Sequence, residues 1–472
     1  MSCPPAAEAA RQEPRDAPGW HARALQLRAE QRMVEAVYAF GRAAALAPDD
    51  LNVAASHAQT CFASGLPAVH LFRHASWLAP DHLEITRQLA MALAAENAQE
   101  AAESLLERAL AEHPDWLDGH KSLATMRWTS GQRERFVDSY REACRAQPRN
   151  PALRMAWFYA VALLRDWPAA TAVLDEGEAA IGDTKPLVLA RLYLACESMA
   201  HRQAQILLAQ THAARDAGVE LCRLRYHLRS GDLPTADAVA QRLCDSAAAR
   251  MAWPYRSLIW RLQGDSRAEW LDAPHAYIRT FELDLSAVQL GELAALLRQL
   301  HTARSPYIEQ SVRGGTQTDR PLFFRHERIV QLTLQKIVDV LRQYTALLPD
   351  ADLTHPLLGE TREPIRFSGS WSVRLQPQGF HVSHTHPMGW ISSALYVDVP
   401  DAAQMGAAPA GWINFGVPPP ELGLDLPAYL QIEPKPGRLV LFPSTMWHST
   451  LPFSGGERLA LAFDVAPPHR PR

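Results

Sequence analysis

The 472-residue chain has no CxxC pair, and none of its six cysteines lies in its C-terminal third. Cys3, Cys61, Cys144, Cys196, Cys222 and Cys244 are scattered, which excludes a disulfide framework or a cysteine-built zinc site. They read as buried free thiols in a reducing cytoplasm. No apolar run approaches the ~20 residues that cross a bilayer. The opening residues, MSCPPAAEAARQEPRDAPG, lack the apolar core of a secretory signal and read as a disordered lead-in over residues 1–18. Positive charge is not in excess: the formal net charge is -4, so no nucleic-acid-binding face is expected. What is present, 47% hydrophobic and 21% charged residues, is the composition of a folded protein of two or three domains.

From about Trp20 the sequence repeats. The phrases ALAPDD, WLAPDH, AEHPDW and RAQPRN place Pro48, Pro80, Pro114 and Pro148 at intervals of 32, 34 and 34. Ala36, Phe40 and Ala43 precede Pro48 at the offsets at which Ala102, Leu106 and Ala109 precede Pro114. Small residues let paired helices approach, a large one a turn away fills the groove, and proline ends the second helix. A 34-residue period of this kind is the tetratricopeptide signature of stacked helical hairpins. The proline marker drifts after residue 148, but the helical period continues, and the repeat domain is expected over 19–265. Such a solenoid either binds a peptide or partner protein or braces the C-terminal domain.

Residues 266–300 read as a helical junction, with a helix in DLSAVQLGELAALLRQLHTAR, and 301–472 as a second domain. A polar stretch, SPYIEQSVRGGTQTDRPLFF, reads as a loop, in which Arg313 and Gln317 are candidate substrate contacts. An amphipathic helix is expected over 326–348, with Ile329, Leu332, Ile337, Val340, Leu341 and Tyr344 on one side. After residue 365 the period changes to alternation. SGSWSVRL, WISSALYVDV, GWINFGV, AYLQIEP, GRLVLFPS and RLALAFDVAP are six short strand candidates, as in a jelly-roll barrel. The fold class is therefore α+β, an all-α solenoid followed by a double-stranded β-helix.

The chemistry concentrates in GFHVSHTHPMGW. Strand parity points His384 and His386 to one face and His381 to the other unless a turn intervenes. His448, at the end of the apolar run GRLVLFPS, is the distant third ligand of a divalent iron-group metal site. In RLALAFDV, Arg458, Ala460, Ala462 and Asp464 share a face. A guanidinium pointing into a barrel needs an anion, and a dicarboxylate co-substrate supplies one. Trp371, Trp390, Trp412 and Trp447 surround the motif and either line an entrance or pack as core; Trp390 is the candidate substrate contact among them.

These residues resemble the Fe(II)- and 2-oxoglutarate-dependent dioxygenases, with their HxD/E…H…R pattern. The phrases QSVRGGTQT, SGSWSVRL, GFHVSHTHPMGWISSALYV, GRLVLFPSTMWHSTLPF and RLALAFDV are similar to a bacterial branch of such oxygenases with N-terminal tetratricopeptide repeats. The resemblance implies Fe(II) held by His384, His386 and His448, with 2-oxoglutarate clamped by Arg458 and further contacted by Tyr396 and Arg374. O2 is the co-substrate, and the reaction is the hydroxylation of a peptide or protein brought by the repeats. Two departures stand out: His386 replaces the usual carboxylate ligand, with His381 or a carboxylate elsewhere as the alternatives for completing the iron shell, and Ala460 replaces a Ser or Thr beside the arginine. A cupin-like metalloenzyme that does not use 2-oxoglutarate, and a non-catalytic scaffold with a degenerate barrel, are the alternatives.

Overall fold

The computed structural model describes residues 13–468. Cys3 and the expected lead-in up to residue 12 lie outside them. The first helix begins at Ala17, where Asp16 caps it by accepting from Gly19 N. Leading helices of successive hairpins then start at Leu51, Leu83, Leu117, Pro151, Lys185, Ala217 and Ala249, at intervals of 32 or 34 residues. The period thus outlasts the proline marker. Pro48 and Pro148 sit in turns whose next helix is capped by Asp50 and Asn150, each accepting from two backbone N–H groups. Later turns end differently. Gly182, at φ 68°, stops its helix in a conformation that a side chain would strain. The signature positions are core: Ala36, Phe40 and Ala43 are fully buried, as are Ala102 and Leu106.

The chain packs as two compact units. One comprises the residues up to Met126 with Pro321–Gln331; the other comprises Arg127–Arg320 and the chain from Leu332 onward. The second unit holds both the later hairpins and the sheets. Its hairpins bury charge in paired form. Arg225 meets Glu197 through Nε (2.6 Å) and Nη2 (2.9 Å), and its Nη1 donates to Tyr255 Oη at 2.8 Å.

The strands are β1 (Arg279–Glu282), β2 (Val312–Gln317), β3 (Phe367–His381), β4 (Ile391–Asp398), β5 (Ile413–Phe415), β6 (Leu430–Ile432), β7 (Arg438–Pro443), β8 (His448–Thr450) and β9 (Arg458–Val465). They form an antiparallel sheet in the order β1-β7-β4-β9-β3-β2 and a smaller sheet β6-β5-β8. After β4 the chain passes to the smaller sheet for β5 and β6, returns for β7, and crosses again for β8 before closing with β9, which is the connectivity of a double-stranded β-helix. All six strand candidates are strands. The sequence reading missed three others. β1 (RTFE) and β8 (HST) are almost wholly polar and show no apolar alternation. β2 carries two glycines in a polar stretch and reads as loop. Those glycines allow a bulge between Arg313 and Gly315, where the strand crosses β3 so closely that a Cβ on Gly314 would lie 2.9 Å from Gly379 Cα. The two expected helices form over Ala287–Leu300 and Arg328–Leu347; in the second, Val330 and Thr333 are fully buried while Leu332 is only half-buried.

The last hairpin grips the barrel. Trp447 Nε1 donates to Pro254 O at 2.8 Å and its ring meets Tyr255 edge-on at 5.5 Å. Arg250 donates to Gly389 O at 3.0 Å and pairs with Glu360 at 2.7 Å. No helix among the described residues is long and apolar enough to cross a membrane.

Candidate metal centre and anion pocket

His384 and His448 face each other as an antiparallel bridge and exchange both backbone hydrogen bonds, at 3.0 and 3.1 Å. Directly opposed residues project to one face, and the two rings stand 4.2 Å apart. His448 is delivered by β8 in the smaller sheet rather than by the end of β7, because the turn after Pro443 carries the chain across. His386 is turned in by its backbone N–H, which donates to Ser444 O at 2.9 Å, and Trp371 stacks on its ring at 5.5 Å.

One ligand atom from each of His384, His386 and His448 lies within 4.8 Å of the others. The Nδ1 atoms are already engaged. That of His384 contacts Val382 O at 2.8 Å, that of His448 contacts Met446 O at 3.0 Å, and that of His386 contacts Asp464 Oδ2 at 2.7 Å. Acceptors at Nδ1 assign the proton there and leave Nε2 unprotonated, as metal-binding imidazoles require. His386 Nε2 is buried with no partner. Burial, reinforced by the neighbouring imidazoles, pushes His384 down to about 3 and His448 well below its ordinary value. Both rings are neutral at neutral pH, the form that ligates.

His381 also lines this cavity, against its parity as a strand residue. The chain leaves the large sheet there and has joined the smaller one by His384. Its Nδ1 lies 2.9 Å from Ser311 Oγ, which is also 3.2 Å from His384 Nε2. His381 is outside the close group of three.

The cavity, of about 60 Å³, runs from the imidazoles past Val373, Ile413, Phe442, Ala460 and Ala462 to Arg458. Arg458 is 3% exposed. Its Nη2 donates to Thr450 Oγ1 at 3.1 Å and its Nη1 to Gly411 O, and among the described residues it has no carboxylate partner. Burial lowers its pKa, with Tyr396 acting the other way. Tyr396, opposite Ala460 in the β4–β9 register, has its ring 5.8 Å from the guanidinium and a buried hydroxyl without a partner. A buried cation and a buried hydroxyl, both lacking an anion, make a pocket for one.

Residues 369–464 match the family model described as "Putative 2OG-Fe(II) oxygenase". That match runs from β3 to β9. No curated protein matches the chain. Solved structures similar to parts of it include a Pseudomonas putida prolyl-4-hydroxylase (19% identity, 42% of this chain and 95% of that one, TM-score 0.29). A viral collagen prolyl hydroxylase from Paramecium Bursaria Chlorella virus-1 is similar at 17% identity over 41% and 90% (TM-score 0.27). A tetratricopeptide repeat protein from Parabacteroides merdae is similar at 13% over 50% and 88% (TM-score 0.33).

The oxygenase family implies Fe(II), 2-oxoglutarate and O2. The residues present fit them: three convergent imidazoles, with the His386 Nε2 buried and without a partner among the described residues, suit a divalent iron-group ion, and Arg458 with Tyr396 suits a carboxylate. Four expected contacts of the oxygenase domain stand elsewhere. Arg374 alternates with the cavity-lining Val373, so it points to the other face of β3 and pairs with Glu457. Arg313 is exposed and turns back to Gln310 O at 2.9 Å. Gln317 lies opposite Val373 on edge strand β2, outside the cavity lining. Trp390 is core, its Nε1 donating to Leu357 O at 2.9 Å. The sequence reading missed Ser311 and Thr450, which arrive from separate strand ends without any local pattern. It placed Asp464 on the Arg458 face without seeing its partner, since pairing with His386 spans 78 positions.

Proposed function

We propose that this protein is a 2-oxoglutarate-dependent hydroxylase in which His384, His386 and His448 hold Fe(II), and that its substrate is a side chain of a peptide or protein. The observation that carries this reading is the pairing, across one small cavity, of three convergent imidazoles with a buried arginine that has no carboxylate partner among the described residues. When bound, the iron supplies the oxidising chemistry: O2 and 2-oxoglutarate are consumed, succinate and CO2 leave, and one oxygen atom is inserted into a substrate C–H bond.

The chain does the rest. Val382 and Met446 carbonyls hold the His384 and His448 rings in one tautomer, and Asp464 does so for His386. Arg458 orients the co-substrate by its far carboxylate, with the Tyr396 hydroxyl as a second donor. Phe442, Ile413 and Val373 keep water from the reacting groups. A cavity of about 60 Å³ admits small groups and no folded chain, so a polymeric substrate presents one side chain at its mouth. The contacts of Trp447 and Arg250 support a bracing role for the last hairpin. Delivery of the substrate falls to the hairpins before it.

The test is an anaerobic titration with Fe(II) and 2-oxoglutarate, followed in the visible range for the metal-to-ligand charge-transfer band, then O2 addition and a succinate assay. Band and succinate are expected. Metal binding without either favours a metalloenzyme that does not use 2-oxoglutarate, the reading suggested by the third imidazole. Peptides offered to the full-length protein are scored by mass spectrometry for gain of one oxygen.

A further inference from the structure

We propose that Asp464 is the carboxylate of this metal centre, acting on the metal through His386 instead of touching it. The inference rests on the metal-site reading above and adds a positioning residue to it. Asp464 is 7% exposed and both its oxygens are used. Oδ2 accepts from His386 Nδ1 at 2.7 Å, and Oδ1 accepts from Ser392 Oγ at 2.6 Å. Ser392 Oγ is 2.8 Å from Ser444 Oγ, and the Ser444 carbonyl receives the His386 backbone N–H at 2.9 Å. His386 is thus held at its backbone, at Nδ1 and, through Trp371, across its ring face. Among the described residues, Asp464 has no lysine or arginine partner. Its charge is shared only with the imidazole and one neutral hydroxyl.

The other two ligands differ on this one point. The Nδ1–H groups of His384 and His448 donate to neutral backbone carbonyls. A carboxylate at Nδ1 makes Nε2 a stronger donor and fixes its direction. The total charge of a divalent ion, three imidazoles and Asp464 equals that of an ion with two imidazoles and one directly bound carboxylate. The carboxylate has been moved one ring away from the metal. It leaves the cavity free on that side while its charge stays in the site.

Co(II) titration of the full-length protein tests this, with affinity read from the Co(II) absorption and folding from the melting of the metal-free protein. D464N keeps the shape and removes the charge; its Co(II) affinity is expected to fall about 10- to 100-fold, and D464E to recover most of the loss. S392A removes the neutral donor at Oδ1 and leaves more charge for Oδ2, so its Co(II) affinity is expected at or above that of the wild type. A folded D464N with wild-type affinity overturns the inference, as does an S392A variant weakened as much as D464N, which would make the network's shape decisive. If D464N does not fold, S392A decides alone: unchanged or tighter binding supports the inference, and a tenfold loss overturns it. Wild-type protein that binds no Co(II) removes the metal centre itself. Wild-type binding with unaltered D464N removes only the role of Asp464.

Discussion

Two buried arginines show how the later hairpins and the barrel differ. Arg225 is buried among helices and is fully answered: burial opposes its charge, but Tyr255 and Glu197 more than offset this and hold its pKa well above the ordinary value. Arg458 is buried in the barrel and among the described residues finds only a hydroxyl and a carbonyl, so burial wins and its pKa falls. Removing one partner of a paired buried charge is strongly destabilising, whereas a buried charge without a counter-charge marks a candidate site for an anion. The same contrast separates Tyr255, whose hydroxyl accepts from Arg225, from Tyr396, whose hydroxyl has no partner.

Removing an imidazole is expected to have the largest effect. His448→Ala should abolish stoichiometric Fe(II) binding in an anaerobic titration while the protein still melts cooperatively; retained binding would remove His448 from the ligand set. Next comes Arg225→Met, which leaves Glu197 buried without its partner and should cost about 3–5 kcal/mol of stability, read from chemical denaturation. Its 2-oxoglutarate affinity should be unchanged. Arg458→Gln should do the reverse, with 2-oxoglutarate binding weakened by about 2–3 kcal/mol, roughly 30- to 150-fold, and Fe(II) binding kept. If Arg458→Gln destabilised the fold and spared the ligand, the comparison of the two arginines would fail.

A smaller effect concerns pH. Unfolded imidazoles take up protons below about pH 6.5, whereas folded His384 resists to about 3 and His448 and His381 also lie well below their ordinary value. Through that window the unfolded state binds more protons, so stability falls as pH drops below about 6.5 and is level above about 7. The melting temperature of metal-free protein should trace this slope, and His381→Asn should make it shallower. A level profile from pH 7 to 4 would contradict the burial of these rings. Smallest of all, Tyr396→Phe removes an unpartnered buried hydroxyl. It should stabilise the apo-protein by about 1 kcal/mol and weaken 2-oxoglutarate binding several-fold; a destabilised variant would mean the hydroxyl has a partner in the fold.

Much of the fold is written locally. Helical periodicity and recurring prolines located the first hairpins, and alternation located six strands, because each signal lies within one element. Edge strand β2 was illegible because its glycines serve a bulge against Gly379, a need that exists only once β3 is beside it. The site divides along the same line. Arg458 and Ala460 were legible from parity within β9. Arg374 came from the resemblance alone, and it points away because the face of β3 that lines the cavity carries Val373.

By itself, then, the sequence determined the two kinds of architecture, the histidine motif, the distant His448 and the arginine, since spacing and alternation are properties of a single chain segment. Only the tertiary structure decided which nitrogens converge, that His381 shares the cavity without joining the close group, and that among the described residues Arg458 has no carboxylate and the Tyr396 hydroxyl no partner. It also decided where the carboxylate stands. Asp464 reaches His386 across 78 positions, and no periodicity in a chain encodes a contact made only when β9 closes beside β3 and β4.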